Sequence, residues 1–215
     1  MKEQLKVAVV GLGNIGKVVA TNFSKANRAF IAADRTLSKA KALALQLNNA
    51  ATASSIDAAV KDADVVILAI PFGSIAGFLQ QYNEELKNKI IIDPSNPIAP
   101  DDKGGFKKII DADKSAGEIN AAALPTGAKL VKTFGTLGAA SLAGAAFKQP
   151  ANVLFYATDD EDINADVEEL IQHSGFTPLR VGNLDQSIRL EVFGDLHEFG
   201  ALGKTVTLAE AKEKV

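Results

Sequence analysis

Leu5-Lys6-Val7-Ala8-Val9-Val10-Gly11-Leu12-Gly13-Asn14-Ile15-Gly16 opens with a short β-branched run and closes on three glycines. Beyond them Val18, Val19 and Phe23 recur at helical spacing, so the hydrophobic period changes within the glycines. The segment predicts strand, tight turn, helix. Gly11, Gly13 and Gly16 fit G-x-G-x-x-G, in which the first glycine makes the turn, the second admits a pyrophosphate and the third lets helix pack on strand. The amides of the helix N-terminus would then face the anion. The motif alone carries little. Here it is followed, 21 residues past Gly13, by Asp34 at the end of a second strand pattern, Ala29 to Ala33. That setting points to a dinucleotide site.

Outward from this unit the same alternation continues. Thr36 to Leu47 has helical spacing with Thr36 as N-cap, and Ala50 to Ala53 reads as a short edge strand. Ser54 to Lys61 reads as a helix with Asp57 placed for a capping box. Val65 to Ile70 is a buried strand ended by Pro71, Ser74 to Leu86 a helix, and Ile90 to Asp93 another buried strand. Pro94 to Gly105, with three prolines and two glycines, reads as a long irregular loop of the kind that edges a site. Ser115 to Leu124 follows as helix, Lys129 to Thr133 and Val153 to Ala157 as strands, and Ile163 to His173 as a helix closed by Gly175. Apolar strands without alternation are buried on both faces. The fold class is therefore α/β, a doubly wound and mainly parallel sheet of the Rossmann type. Residues 1–184 would form that dinucleotide-binding domain, and residues 185–215 a small C-terminal helical extension packed on it.

The chain has 215 residues, 47% hydrophobic and 23% charged, which excludes disordered and collagenous classes. With 23 Lys and Arg against 26 Asp and Glu, its net charge of −3 offers no broad basic field, so neither nucleic acid nor an anionic membrane is an expected partner. There are no cysteines, so thiolate chemistry is excluded, and with two histidines a multi-histidine metal centre is not expected; a reducing cytoplasm is the expected compartment. No apolar run reaches the roughly 18 to 20 residues that span a bilayer, and Met1 to Lys6 leads into a strand with no signal-peptide pattern. His173 lies in the last turn of a helix, where it complements the dipole, and Asp159 to Asp162 lie at a helix start for the same reason. His197 could donate to an acceptor or serve packing or a subunit interface.

The nucleotide signals pull two ways. Asp34 is placed to accept from a ribose 2′-hydroxyl, whereas Arg35 and Lys39 could clamp a 2′-phosphate. The expectation is a modest preference for NADPH, with NAD also open.

Several segments together resemble the NADP-dependent reductases of the deazaflavin coenzyme F420 and the related domain of the six-transmembrane ferric reductases. They are Val9 to Gly16, Val65-Val66-Ile67-Leu68-Ala69-Ile70-Pro71, Ile91-Ile92-Asp93-Pro94-Ser95-Asn96-Pro97 and Leu130-Val131-Lys132-Thr133-Phe134-Gly135-Thr136, and the likeness covers nearly the whole chain. Gly175 to Leu184 looks like that family's last strand and turn. The resemblance implies that Gly11, Leu12, Gly13, Asn14, Ile15 and Gly16 hold the pyrophosphate and that Asp34, Arg35 and Lys39 lie at the adenosine ribose. It implies that Ala69, Ile70, Pro71 and Phe72 line the route to the nicotinamide, with Asn96 and Pro97 nearby. Phe134, Gly135, Thr136 and Leu137 match the acceptor side, where the deazaflavin stacks on the nicotinamide. Three positions depart from the family: Leu12 stands where it often has a hydroxyl residue, Asp34 where it often has Ser, and Gly135 where it often has Asn.

The expected activity is NAD(P)H-dependent hydride transfer to a deazaflavin, flavin or other small acceptor. Stacked rings and a dry gap suffice, so no catalytic acid or base and no metal is expected. Two alternatives stay open. One is a nucleotide-binding sensor or partner-binding module without turnover. The other is an imine or carbonyl reductase completed by a second subunit, because residues 185–215 are too few for the helical domain such enzymes add. A homodimer in which the C-terminal segment completes or shields a shallow pocket is expected.

Overall fold

A computed structural model describes residues 4–47 and 50–215. The start of the N-terminal stretch, residues 1–3, lies outside them. The chain runs β1 (Val7–Val10), α1 (Asn14–Lys25), β2 (Phe30–Ala33), α2 (Leu37–Gln46), β3 (Ala51–Ser54), α3 (Ile56–Asp62), β4 (Val65–Leu68), α4 (Phe72–Gln81) and β5 (Ile90–Asp93). It continues with β6 (Ile98–Pro100), β7 (Phe106–Lys108), α5 (Ala116–Ala121), β8 (Lys129–Lys132), α6 (Ala139–Gly144), β9 (Val153–Ala157), α7 (Asn164–His173) and β10 (Thr177–Gly182). Two single-turn helices, α8 (Ser187–Leu190) and α9 (Leu208–Ala211), lie in the remaining tail.

Eight strands form one sheet in the order β10-β9-β8-β5-β4-β1-β2-β3. The order turns back at β1, with β2 and β4 on either side, which opens a crevice at the carboxyl ends of these strands. Side chains alternate between faces along each strand. Val7, Val9, Val65 and Ile67 meet α1, α2, α6 and α7 in one core, while Ala8, Val10, Val66 and Leu68 meet α3 and α4 in another. Both faces are buried, which is why these strands read as unbroken apolar runs. Leu190, Leu196, Val206 and Ala211 of the tail cover Val153, Phe155 and Ala157 in a third cluster.

The sheet is mainly parallel and Thr36 is the N-cap of α2, as expected, while the loop after β5 and the cap of α3 need correction. The sheet is parallel from β3 to β8, but β9 runs antiparallel to β8, so β9 and β10 form a reversed edge pair. The segment after β5 is an antiparallel β6–β7 hairpin, turned by Gly104 and Gly105 at φ +92° and +78°. Asp57 caps no helix. The N-cap of α3 is Ser55, whose hydroxyl accepts from the Ala58 amide at 3.3 Å, and Asp57, one place short of a capping box, accepts the Tyr82 hydroxyl at 2.6 Å. Thr36 is the N-cap residue of α2 by backbone alone, its side chain making no cap bond.

Candidate functional site

The three glycines occupy three different environments. Gly11 has φ +89°, and a Cβ there would meet the Ala69 carbonyl oxygen at 2.5 Å. At Gly16 a Cβ would sit 1.9 Å from the Gly11 carbonyl oxygen, so helix α1 can approach the turn only without a side chain. Gly13 has nothing within 4 Å of its Cβ position. Its bareness faces open space, as expected where an anion approaches the backbone. Gly13 is also the N-cap of α1, no side chain caps that helix, and its first turn holds no acidic residue. The free amides and the positive end of the dipole are therefore available to a phosphate.

A cleft of about 540 Å³ opens beside this turn. Its walls include Gly11, Leu12, Gly13, Asp34, Arg35 and Lys39 on one side and Ala69, Ile70, Pro71 and Phe78 on the other. Asn14 is exposed at the first position of α1, and Phe72 begins α4 just behind Pro71 without lining the cleft. Leu12 is fully buried, and its amide is taken up by Asp34.

Asp34 is built into the turn. Its Oδ2 accepts from the Leu12 amide at 2.9 Å and from Lys39 Nζ at 3.2 Å, and its Oδ1 accepts from the Thr36 amide at 3.1 Å. Burial alone would raise its pKa, but the two amides and Lys39 outweigh burial and hold it below the usual carboxylate value. The Lys39 charge is correspondingly paired within the protein.

On the other side of the turn lies a smaller cavity of about 200 Å³. Ile15 of α1, Ile98 and Phe106 of the hairpin, Leu137 and Gly138 after β8, and Phe193 and Phe199 of the tail wall it, with Asn96, Gly135 and His197. Gly135 is its structural hub. Its carbonyl oxygen accepts from Asn96 Nδ2 at 3.0 Å and pairs with His197 Nε2 at 2.9 Å. Asn96 Oδ1 in turn accepts from the Val192 amide at 2.7 Å, and His197 Nδ1 accepts from the Phe199 amide at 2.9 Å. Because Nδ1 accepts, Nε2 carries the hydrogen. Burial pushes the His197 pKa below its ordinary value, against the opposing pull of the Gly135 carbonyl and Glu198.

The expected acceptor stretch divides. Gly135 and Leu137 line the cavity, whereas Phe134 lies in the core at φ +63° and Thr136 is buried behind the wall. A Cβ at residue 135 would meet the Pro94 carbonyl oxygen at 2.4 Å, so the departure to glycine brings two loops together. Pro97 is buried at the base of the hairpin, its carbonyl accepting from the Ile109 amide at 2.9 Å. His173 lies in the last turn of α7, 3.7 Å from Glu169, and lines neither space. In the acidic run, Asp159 accepts from the Leu184 amide at 2.8 Å and Asp162 pairs with Lys129.

One group had no local signature in the sequence. Lys132, at the end of β8, is buried between Asp93 Oδ2 at 3.1 Å and Glu191 Oε1 at 3.8 Å, and also donates to the Ser95 carbonyl. Asp93 accepts from Asn120 at 2.8 Å and the Ser95 amide at 2.7 Å, and Glu191 from the Ala116 and Gly117 amides at 2.9 and 3.0 Å. This cluster fixes the tail to the strand ends immediately before Val192, Phe193 and His197.

Comparison with known proteins bears on this arrangement. The family model described as NADP oxidoreductase, coenzyme F420-dependent, matches residues 6–97, from β1 through the loop after β5. The F420-dependent NADP reductase of Methanocaldococcus jannaschii is 27% identical over 203 residues, covering 89% of this chain and 90% of that one. The crystal structure of a hypothetical protein from Sinorhizobium meliloti has a TM-score of 0.81 at 31% identity, covering 96% of this chain and 97% of that chain.

Over residues 6–97 the chain is similar to the coenzyme F420-dependent NADP oxidoreductase family, and over most of its length to a reductase of that description. A candidate F420-dependent NADP reductase from an Arthrobacter species shares the fold at TM-score 0.70 and 23% identity, over 86% of this chain and 87% of that one. The chain thus spans nearly the full length of these relatives.

Proposed function

We propose that the protein transfers hydride between NADPH and a small acceptor, with the nucleotide in the larger cleft and the acceptor in the smaller cavity. The observation that carries this reading is that both spaces flank one glycine turn, with Gly13 facing the cleft and Ile15 facing the cavity. Gly11, Gly13 and the first-turn amides of α1 would hold the pyrophosphate, and Asp34, Arg35 and Lys39 the adenosine ribose and its 2′-phosphate. Ala69, Ile70 and Pro71 would lead toward the nicotinamide. A reduced nicotinamide bound there supplies the hydride. Asn96 and His197 hold the Gly135 carbonyl and so set the shape of the acceptor wall. Both are engaged with backbone, so their role is positioning rather than proton transfer. The apolar side chains around them exclude water from the transfer gap.

NADPH is the preferred nucleotide in this reading, and NADH a weaker donor, because Arg35 and Lys39 stand at the ribose end beside Asp34. The tail completes the cavity within one chain. A homodimer in which this face is shielded further is part of the same proposal, and light scattering at working concentration tests it. A monomer mass rejects the dimer.

The test of the function is anaerobic oxidation of NADPH and NADH by the purified protein, with coenzyme F420, FMN, FAD and small quinones offered separately. Turnover with any of them, faster with NADPH, supports the reading. Tight nucleotide binding with no oxidation by any acceptor rejects it in favour of a sensor.

A further inference from the structure

We infer that the acceptor of this chain is an uncharged, planar compound of one or two fused rings, of the quinone class, seated against Gly135 in the smaller cavity. This rests on the hydride-transfer reading above and narrows it. Three properties of the cavity carry it.

Size is the first. The cavity holds about 200 Å³, below the roughly 300–1,000 Å³ of sites that enclose drug-sized ligands. A naphthoquinone-sized ring system matches such a space better than a three-ring flavin bearing a ribityl chain.

Charge is the second. Ile15, Ile98, Leu137, Phe106, Phe193 and Phe199 supply its apolar walls, and no lysine or arginine lines it among the described residues. Glu198 accepts from the amide of Gly138, a wall residue, and so sets a carboxylate at the rim. An anionic tail or a ferric chelate would meet a negative charge with no cation opposite.

Hydrogen bonding is the third. The polar side chains of the wall are Asn96 and His197. The amide oxygen and nitrogen of Asn96, and both ring nitrogens of His197, are already engaged with the protein backbone. Reduction of an isolated ketone, aldehyde or imine concentrates charge on one oxygen or nitrogen and calls for a positioned donor. A quinone spreads that charge over its ring and second carbonyl. In the step, the quinone takes one hydride, two electrons with one hydrogen, from NADPH and one proton from solvent. It leaves as the hydroquinone while NADP+ remains.

Two experiments decide. In the first, NADPH oxidation is followed anaerobically with 1,4-naphthoquinone, the anionic 1,2-naphthoquinone-4-sulfonate, coenzyme F420 and FMN. The expected kcat/KM for 1,4-naphthoquinone exceeds the other three by tenfold or more. A rate with coenzyme F420 or FMN equal to or above it overturns the inference and leaves hydride transfer standing. No oxidation with any acceptor overturns both.

The second experiment needs no turnover. The chain lacks tryptophan, so Phe106→Trp places a single reporter at the cavity rim, on a side chain 60% exposed. Saturable fluorescence quenching by 1,4-naphthoquinone is expected there and not in Leu45→Trp, whose site on α2 is 83% exposed. Equal quenching in both variants overturns the assignment of the site.

Discussion

The carboxylate of Asp34 lies 2.9 Å from the amide of Leu12, so the acid at the end of β2 closes the glycine turn as well as facing the cleft. The same Oδ2 accepts from Lys39. A 2′-phosphate reaching for Lys39 must compete with that carboxylate, and it would also meet Asp34 as a like charge. Asp34→Ser removes both effects. The expected outcome is a roughly tenfold rise in the ratio of NADP+ to NAD+ affinity, equivalent to about 1.4 kcal/mol. It comes with a stability loss of about 1–3 kcal/mol from the weakened hydrogen bonds to a charged group. Titration calorimetry with both nucleotides checks the first and urea denaturation the second. An unchanged ratio would show that the Asp34–Lys39 pair does not mask the phosphate site.

Gly13 and Gly16 separate binding from folding. Alanine at residue 13 finds open space in an extended conformation that any residue adopts, so the protein should keep its melting temperature. Its methyl group would occupy the approach to the backbone, and nucleotide affinity should fall by tenfold or more. Alanine at residue 16 would place its methyl 1.9 Å from the Gly11 carbonyl oxygen, which cannot yield without moving α1 off the strand. That variant should lose several kcal/mol of stability, in the range of about 3 kcal/mol or more seen for severe core strain. Differential scanning calorimetry and nucleotide titration on the two variants test the division.

The parts of this molecule that were legible in sequence are those whose physics is local. The glycine turn, β5 and the end of α7 before Gly175 follow from residue spacing within a few positions. The hairpin was hidden because Pro94, Pro97 and Pro100 with Gly104 and Gly105 look like loop composition, and three-residue strands are too short to show a period. The reversal of β9 left no mark, since a strand buried on both faces reads the same in either direction. Phe134 was expected on the acceptor side with its three neighbours, and at φ +63° it lies in the core instead. The partners of Asn96 were out of reach for another reason: Val192 lies 96 positions away, and only the docked tail brings them together.

The buried Lys132 tests what the tail docking is worth. Replacing it with methionine leaves Asp93 and Glu191 facing each other without a cation in a site that solvent does not reach. Removing one partner of a buried ion pair costs about 3–5 kcal/mol. Burial already raises the Glu191 pKa against the pull of Lys132, so without the lysine Glu191 should take up a proton more readily still. The second substitution Glu191→Gln in that background should recover part of the loss, because the buried site then holds one unpaired carboxylate rather than two. Chemical denaturation of the two variants measures this. Equal stability of Lys132→Met and the parent would remove the cluster as the anchor of the tail.

His197 gives the tail a pH dependence of known sign. Its pKa is lowered in the folded protein by burial, from an ordinary value of 6.5. Above 6.5 the imidazole is neutral in both states, and its Nδ1 accepts from the Phe199 amide at full strength. As pH falls below 6.5 the unfolded chain binds the proton first, so stability is lost until the folded pKa is passed. Glu191 has the opposite sign, since its raised pKa makes the folded state the first to take up a proton on acidification. That contribution is common to the parent and to His197→Asn, so it cancels from their difference. The parent should therefore lose more stability than His197→Asn between pH 7.5 and pH 5.0, while both keep the same nucleotide affinity at pH 7.5. Melting temperatures of the two proteins across this range check it, and parallel curves would mean that the imidazole does not titrate differently in the folded chain.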